Sequence, residues 1–70
     1  MLMRVEKIID YLKEANTAAI AMISEGRNQE AVTQLEEATS ALEYLANLGK
    51  IIDRNMIIVT MYNLACAYQG

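Results

Sequence analysis

Three isolated glycines, at positions 26, 49 and 70, are the strongest backbone breaks in a 70-residue chain that has no proline. Glycine readily takes the left-handed conformation that ends a helix. The stretches between the glycines are rich in alanine, leucine and isoleucine, which favour helix over strand. The sequence therefore predicts an all-α fold of three antiparallel helices, over about residues 2–25, 28–48 and 53–69, within one domain of residues 1–70.

The first two predicted helices have clear apolar faces at the three- and four-residue spacing of a helix. The first has a seam with one polar member and a second apolar stripe beside it: Leu2, Val5, Ile9, Leu12, Asn16, Ala19 and Ile23, then Ile8, Ala15, Ala18 and Met22. The inner face predicted for the second is Ala31, Val32, Leu35, Ala38, Leu42, Leu45 and Leu48. Gly26 should end the first helix and Asn28 should cap the second, so this short connection predicts a helical hairpin.

The third predicted helix is apolar on nearly every side. It should begin between residues 51 and 55, with Asp53 as its N-cap, and it includes the β-branched run at residues 57–60. That run could also form a strand, but one strand would have nothing to pair with. A helix with apolar residues all round must be covered on several sides, which two short neighbours cannot do. We therefore expect part of this helix to contact another chain.

Composition and charge argue against several functional classes. The chain has a net charge of −3, and its six basic residues are scattered, which argues against nucleic-acid binding. It contains no histidine and a single cysteine, Cys66, so Ser-His and Cys-His catalysis and an internal disulfide are excluded. The carboxylates of Glu30, Glu36, Glu37 and Glu43 are interpreted as a solvated face. We expect no enzyme activity, cofactor, metal or membrane span, and a cytoplasmic protein with a reduced thiol.

A helical repeat can be recognised in two parts of the chain. Small and large residues surround the turn at Gly26 in a fixed order: Ala19, Met22, Gly26, Ala31, Leu35 and Ala38. The tail repeats the opening of that pattern with Leu64, Ala65 and Tyr68. This pattern resembles the tetratricopeptide repeat, although Ala15 and Asn28 stand where the family commonly has aromatic residues. The resemblance implies one and a half repeats with a lengthened second helix, and a chain that is a piece of a longer protein; an autonomous small protein is the alternative.

The same resemblance implies a protein-interaction scaffold with no separate chemistry. Its groove would bind a peptide or an amphipathic helix through Lys13, Asn16, Ile20, Ser24, Val59, Tyr62, Asn63 and Cys66. The uncovered last helix would support a homodimer through Ile57, Ile58, Met61 and Tyr68. Two other interpretations stay open: a plain three-helix bundle that serves only oligomerisation, and the short three-helix trafficking domain of membrane-remodelling proteins.

Overall fold

The computed structural model describes residues 5–49 and 53–69, which form three packed helices. They are α1 (Val5–Ser24), α2 (Asn28–Asn47) and α3 (Arg54–Gln69). No strand occurs in these two ranges, so the predicted all-α fold of three helices is confirmed. The predicted start of the first helix at residue 2, with Leu2, and the turn at Gly70 lie outside the described residues.

The turn between α1 and α2 is closed by Gly26, whose φ of 80° lies in the left-handed region. The backbone N–H of Arg27 donates to the Met22 carbonyl at 2.8 Å, and the N–H of Gly26 donates to the Ile23 carbonyl at 3.1 Å. These two bonds form a Schellman motif, which pairs carbonyls that the end of α1 would otherwise leave open. The chain reverses here, and α1 and α2 form the predicted hairpin.

The prediction that Asn28 caps α2 is wrong. The N-cap is Arg27, with φ −92° and ψ 59° and no capping hydrogen bond from its side chain, and Asn28 is already the first helical residue. The Schellman motif uses Arg27 as its last residue, so the chain has turned one residue earlier than expected. The Arg27 guanidinium instead pairs with the carboxylates of Glu25, at 2.9 Å, and Glu30.

Two apolar clusters hold the hairpin together. The first lies towards the open end of the hairpin and contains Ile8, Leu12, Ala15, Ala38, Leu42 and Leu45. The second lies near the turn and contains Ala19, Ala31, Val32, Leu35 and Ala67. Alanines where the helices meet let their backbones approach closely, and the leucines between them fill the core.

The inner face predicted for α2 is buried as far as Leu45, but the prediction for Leu48 is wrong. Leu48 is 48% exposed. It is the C-cap of α2, and Gly49 follows it with a φ of 73°. The backbone is still helical at Leu48, whose N–H donates to the Tyr44 carbonyl at 3.1 Å, so Leu48 is exposed because it lies at the very end of α2, past the last member of the first apolar cluster.

Helix α3 begins where Asp53 caps it, as the sequence predicts. The Asp53 Oδ1 accepts a hydrogen bond of 2.9 Å from the backbone N–H of Asn55. The helix runs back along the hairpin, so that Met56 packs against the first apolar cluster and Ala67 belongs to the second. It therefore lies parallel to α1 and antiparallel to α2, in contact with both.

Candidate functional site

Helix α3 shows the reverse of the burial pattern expected for an ordinary surface helix. Its most buried side chains are Thr60, Asn63 and Ala67, which are 0%, 6% and 3% exposed. Met56 and Leu64 are partly buried, but the other six large apolar side chains are each more than a third exposed: Ile57, Ile58, Val59, Met61, Tyr62 and Tyr68. An amphipathic helix normally buries its apolar residues, because removing them from water stabilises the fold. The outer surface of α3 is therefore a candidate for contact with another protein.

Three polar side chains form a buried hydrogen-bonded cluster between α1 and α3, here called the polar node: Asn16, Thr60 and Asn63. The Asn16 Nδ2 donates to the Leu12 carbonyl at 3.0 Å and to the Thr60 Oγ1 at 2.9 Å. The Asn63 Nδ2 donates to the Asn16 Oδ1 at 2.9 Å. The Thr60 hydroxyl in turn donates to the Met56 carbonyl at 2.8 Å.

The polar node fixes α3 in one register on the hairpin. A buried amide that loses its partner costs about 1–3 kcal/mol, so sliding α3 by one residue or rotating it is penalised at several atoms together. Apolar contacts alone discriminate less strongly between registers, because they have no direction. The two asparagines predicted to line a groove, Asn16 and Asn63, are thus bound to each other between the helices.

Beside the polar node, α1 and α3 form an open pocket of about 310 Å³. Its walls contain four of the eight residues predicted for a binding groove: Lys13, Asn16, Ile20 and Val59. Ile20 is 54% exposed on one wall and Val59 is 43% exposed on the other. Lys13 and Asp53 bring both signs of charge to the pocket. A short apolar segment with polar ends would match these walls.

The other four predicted groove residues lie elsewhere. The Ser24 hydroxyl is exposed and donates to carbonyls of its own helix, those of Ile20 and Ala21. Asn63 belongs to the polar node, Tyr62 is 68% exposed on the outer side of α3, and Cys66 is half-buried with a free thiol. The pocket therefore occupies only the half of the predicted groove nearest the start of α3.

Sequence analysis missed four residues of this pocket: Thr17, Asp53, Asn55 and Met56. Their spacing carries a usable signal. Thr17 lies four residues after Lys13 and three before Ile20, on the same helical face. Asn55 and Met56 precede Val59 by one helical turn. Extending the predicted groove by one turn towards the start of α3 would have included Asn55 and Met56.

A second pocket, of about 360 Å³, lies on the other side of α3, against α2. Here the Tyr68 hydroxyl donates to the Glu36 Oε2 at 2.6 Å. This hydrogen bond is the main reason that the pKa of Tyr68 is raised above the ordinary value of 10.0, with smaller contributions from desolvation and from the charge of Glu36. The Asn28 Oδ1 also lies buried at this pocket, without a hydrogen-bond partner.

The four residues predicted for self-association all lie on the exposed part of α3. The exposed fractions of Ile57, Ile58, Met61 and Tyr68 are 37%, 56%, 43% and 62%. Tyr68 differs from the rest because its hydroxyl is engaged with Glu36 of its own chain. The exposed surface of α3 extends beyond this set to Tyr62 and Val59.

Charge is distributed unevenly between the helices. None of the nine acidic residues of the chain falls within α3, and Arg54 is its one charged side chain. Acidic residues are instead distributed along the solvent-facing sides of α1 and α2. Helix α3 therefore contributes no carboxylate of its own to the surface, and only Glu36 of α2 reaches it, at Tyr68, whereas α1 and α2 are acidic.

Comparison with known proteins adds no family to this description. No protein-family model, curated protein or solved structure matches the chain.

Neither a metal-binding group nor a membrane-spanning helix occurs within residues 5–49 and 53–69. Within these ranges, no three His, Cys, Asp or Glu side chains are grouped so that they could hold a metal ion. None of the helices formed there combines the length and the apolar character required to cross a bilayer.

Proposed function

We propose that this chain is a protein-interaction module of the tetratricopeptide type, which binds a peptide or a helix in the groove between α1 and α3. The observation that carries the proposal is the reversed orientation of α3, which buries polar side chains and exposes apolar ones. Such an arrangement is unfavourable for a helix whose only role is to complete a core. It is favourable where the exposed side chains contact a partner.

The pocket between α1 and α3 suggests the chemistry of the ligand. Ile20 and Val59 present apolar walls, and Lys13 lies at the same pocket as Asp53 and Asn55. An amphipathic helix could place its apolar face between Ile20 and Val59 and its polar residues towards Lys13 and Asp53. The resemblance of Ala19, Gly26, Ala31 and the other repeat positions to the tetratricopeptide pattern supports the same class of function.

A display library of amphipathic helical peptides tests this function directly. Peptides selected against the wild-type chain should bind Ile20→Glu at least about tenfold more weakly, because a charge would then face the apolar side of the ligand. Fluorescence anisotropy with the selected peptides measures the dissociation constants. Circular dichroism checks that the variant remains folded.

Ile58→Glu is the matched control for this experiment. Ile58 is 56% exposed, close to the 54% of Ile20, but it is absent from the pocket lining. Peptide affinity should therefore be unchanged in Ile58→Glu. Failure to select any peptide, or equal loss of binding in the two variants, would contradict binding in this groove.

A second function is favoured by the exposed outer side of α3, away from the pocket. Here the chain would act structurally, as a helical module that assembles with copies of itself. Ile58, Met61 and Tyr62 remain exposed on a helix that carries no carboxylate. The two functions use different sides of α3 and are compatible in one molecule.

A further inference from the structure

We propose that the outermost seam of α3 is a two-fold interface, on which the α3 helix of a second copy packs in antiparallel orientation. This proposal deepens the second function above by naming its partner and its geometry. The seam is the line of exposed residues opposite Thr60, spaced alternately by three and four positions as in a coiled coil. It consists of Asn55, Ile58, Tyr62, Ala65 and Gln69.

The order of residues along this seam makes it complementary to itself. It is polar at both ends, apolar towards the middle and centred on Tyr62. In an antiparallel pair whose two-fold axis passes beside Tyr62, each Ile58 would meet the small Ala65 of the other copy, and each Asn55 would meet Gln69. A large side chain then faces a small one, and amides face amides. Such complementarity is what a two-fold contact between identical surfaces requires.

The distribution of charge favours the same partner. Two copies that each carry a net charge of −3 repel one another unless their acidic surfaces stay apart. Contact through α3 keeps them apart, because no carboxylate lies within Arg54–Gln69. In the antiparallel arrangement each Arg54 also approaches the C-terminal end of the other α3, where the helix dipole favours a positive charge.

The exposed area determines how strong this dimer can be. Of the six large apolar side chains exposed on α3, Ile58 and Tyr62 belong to the seam, and together they leave open the surface of rather more than one complete side chain, on the order of 250 Å² per copy. Counted over two copies, these side chains would bury about 500 Å², which is below the range for stable specific interfaces. We therefore expect a weak dimer that forms as the protein concentration is raised.

Sedimentation equilibrium over a range of protein concentrations tests the proposal. The wild-type chain should shift from monomer to dimer as concentration rises. Ile58→Glu should raise the dissociation constant more than about 30-fold, because the two-fold axis places the new charge in the interface twice. Ile20→Glu, a matched substitution on α1, should leave the dissociation constant unchanged, and circular dichroism should show the same helix content in all three proteins.

Cross-linking tests the position of the two-fold axis. With Cys66→Ala as background, Tyr62→Cys should form a disulfide between copies on mild oxidation, whereas Ile20→Cys should not. A monomer at every concentration would overturn the proposal. A dimer broken by Ile20→Glu but not by Ile58→Glu would also overturn it. Neither result bears on the peptide-binding groove, whose own test is the loss of peptide affinity in Ile20→Glu.

Discussion

The hairpin of α1 and α2 buries mainly apolar side chains, whereas the third helix buries polar ones and exposes apolar ones. In the hairpin, leucine and isoleucine lie inside apart from Ile20 and Leu48, charged residues lie outside, and Leu12 and Leu35 are fully buried. In α3, a threonine and an asparagine lie inside, and Ile58 and Tyr62 lie outside. The comparison separates two tasks within 70 residues: the hairpin supplies most of the core, and α3 supplies the surface.

The largest expected effect is a difference in unfolding free energy between the same isoleucine-to-alanine substitution made in the hairpin and in α3. Ile8→Ala removes a side chain that is 3% exposed in the hairpin core and should lower the free energy of unfolding by about 2–5 kcal/mol. Ile58→Ala removes one that is 56% exposed on α3 and should change it by less than about 0.5 kcal/mol. Urea unfolding at low protein concentration, where the chain is monomeric, measures both. Equal losses would show that the two regions do not differ as described.

Breaking the polar node should have an intermediate effect that is confined to α3. Asn16→Ala leaves the buried Asn63 Nδ2 without its acceptor and should cost about 1–3 kcal/mol. Hydrogen exchange should then become faster in α3 amides and remain slow in the core of the hairpin. Replacing the whole node with Asn16→Leu, Thr60→Val and Asn63→Leu should recover much of this stability, since no buried polar group is left unpaired. Equal acceleration in all three helices would contradict a local role.

The smallest expected effect is the response of α3 to alkaline pH. The hydrogen bond to Glu36 requires a protonated Tyr68 hydroxyl and raises its pKa. The stabilisation that this hydrogen bond provides is therefore fully present below pH 10, the ordinary pKa of tyrosine. It is lost as pH rises through the raised pKa of Tyr68. Glu36→Gln should lower the pKa of Tyr68 towards 10.0, measured by NMR of the ring resonances. Glu30→Gln, also on α2, should leave it unchanged.

The hairpin could be predicted closely from the sequence, for a physical reason. Its apolar residues follow the helical period cleanly, and Gly26 can end α1 because glycine adopts a positive φ without strain. The errors lie at the ends of α2, where local backbone geometry decides the outcome. Arg27 replaces Asn28 as the cap, and Leu48 lies at the last position of α2, beyond the core that Leu45 still reaches.

The polar node could not be predicted in the same way. Sequence analysis identified the core from apolar periodicity, and this criterion assigns Thr60 and Asn63 to the surface of α3. Only the fold brings Asn16 within hydrogen-bonding distance of these two residues, which lie far away in the chain. The predicted groove is only partly reproduced, because Asn63 is bound into the polar node and Ser24, Tyr62 and Cys66 lie outside the pocket.

Attachment through amides and a hydroxyl also changes what it costs to lift α3 from the hairpin. When a helix that packs on leucines detaches, apolar surface is exposed to water, and nothing compensates that free-energy cost. When the polar node opens, water can take the place of each lost partner, so much of the energy is returned. The remaining cost of lifting α3 comes from its apolar contacts, those of Met56 with the first cluster and of Leu64 and Ala67 with the second, so we expect α3 to open at a lower free energy than the hairpin.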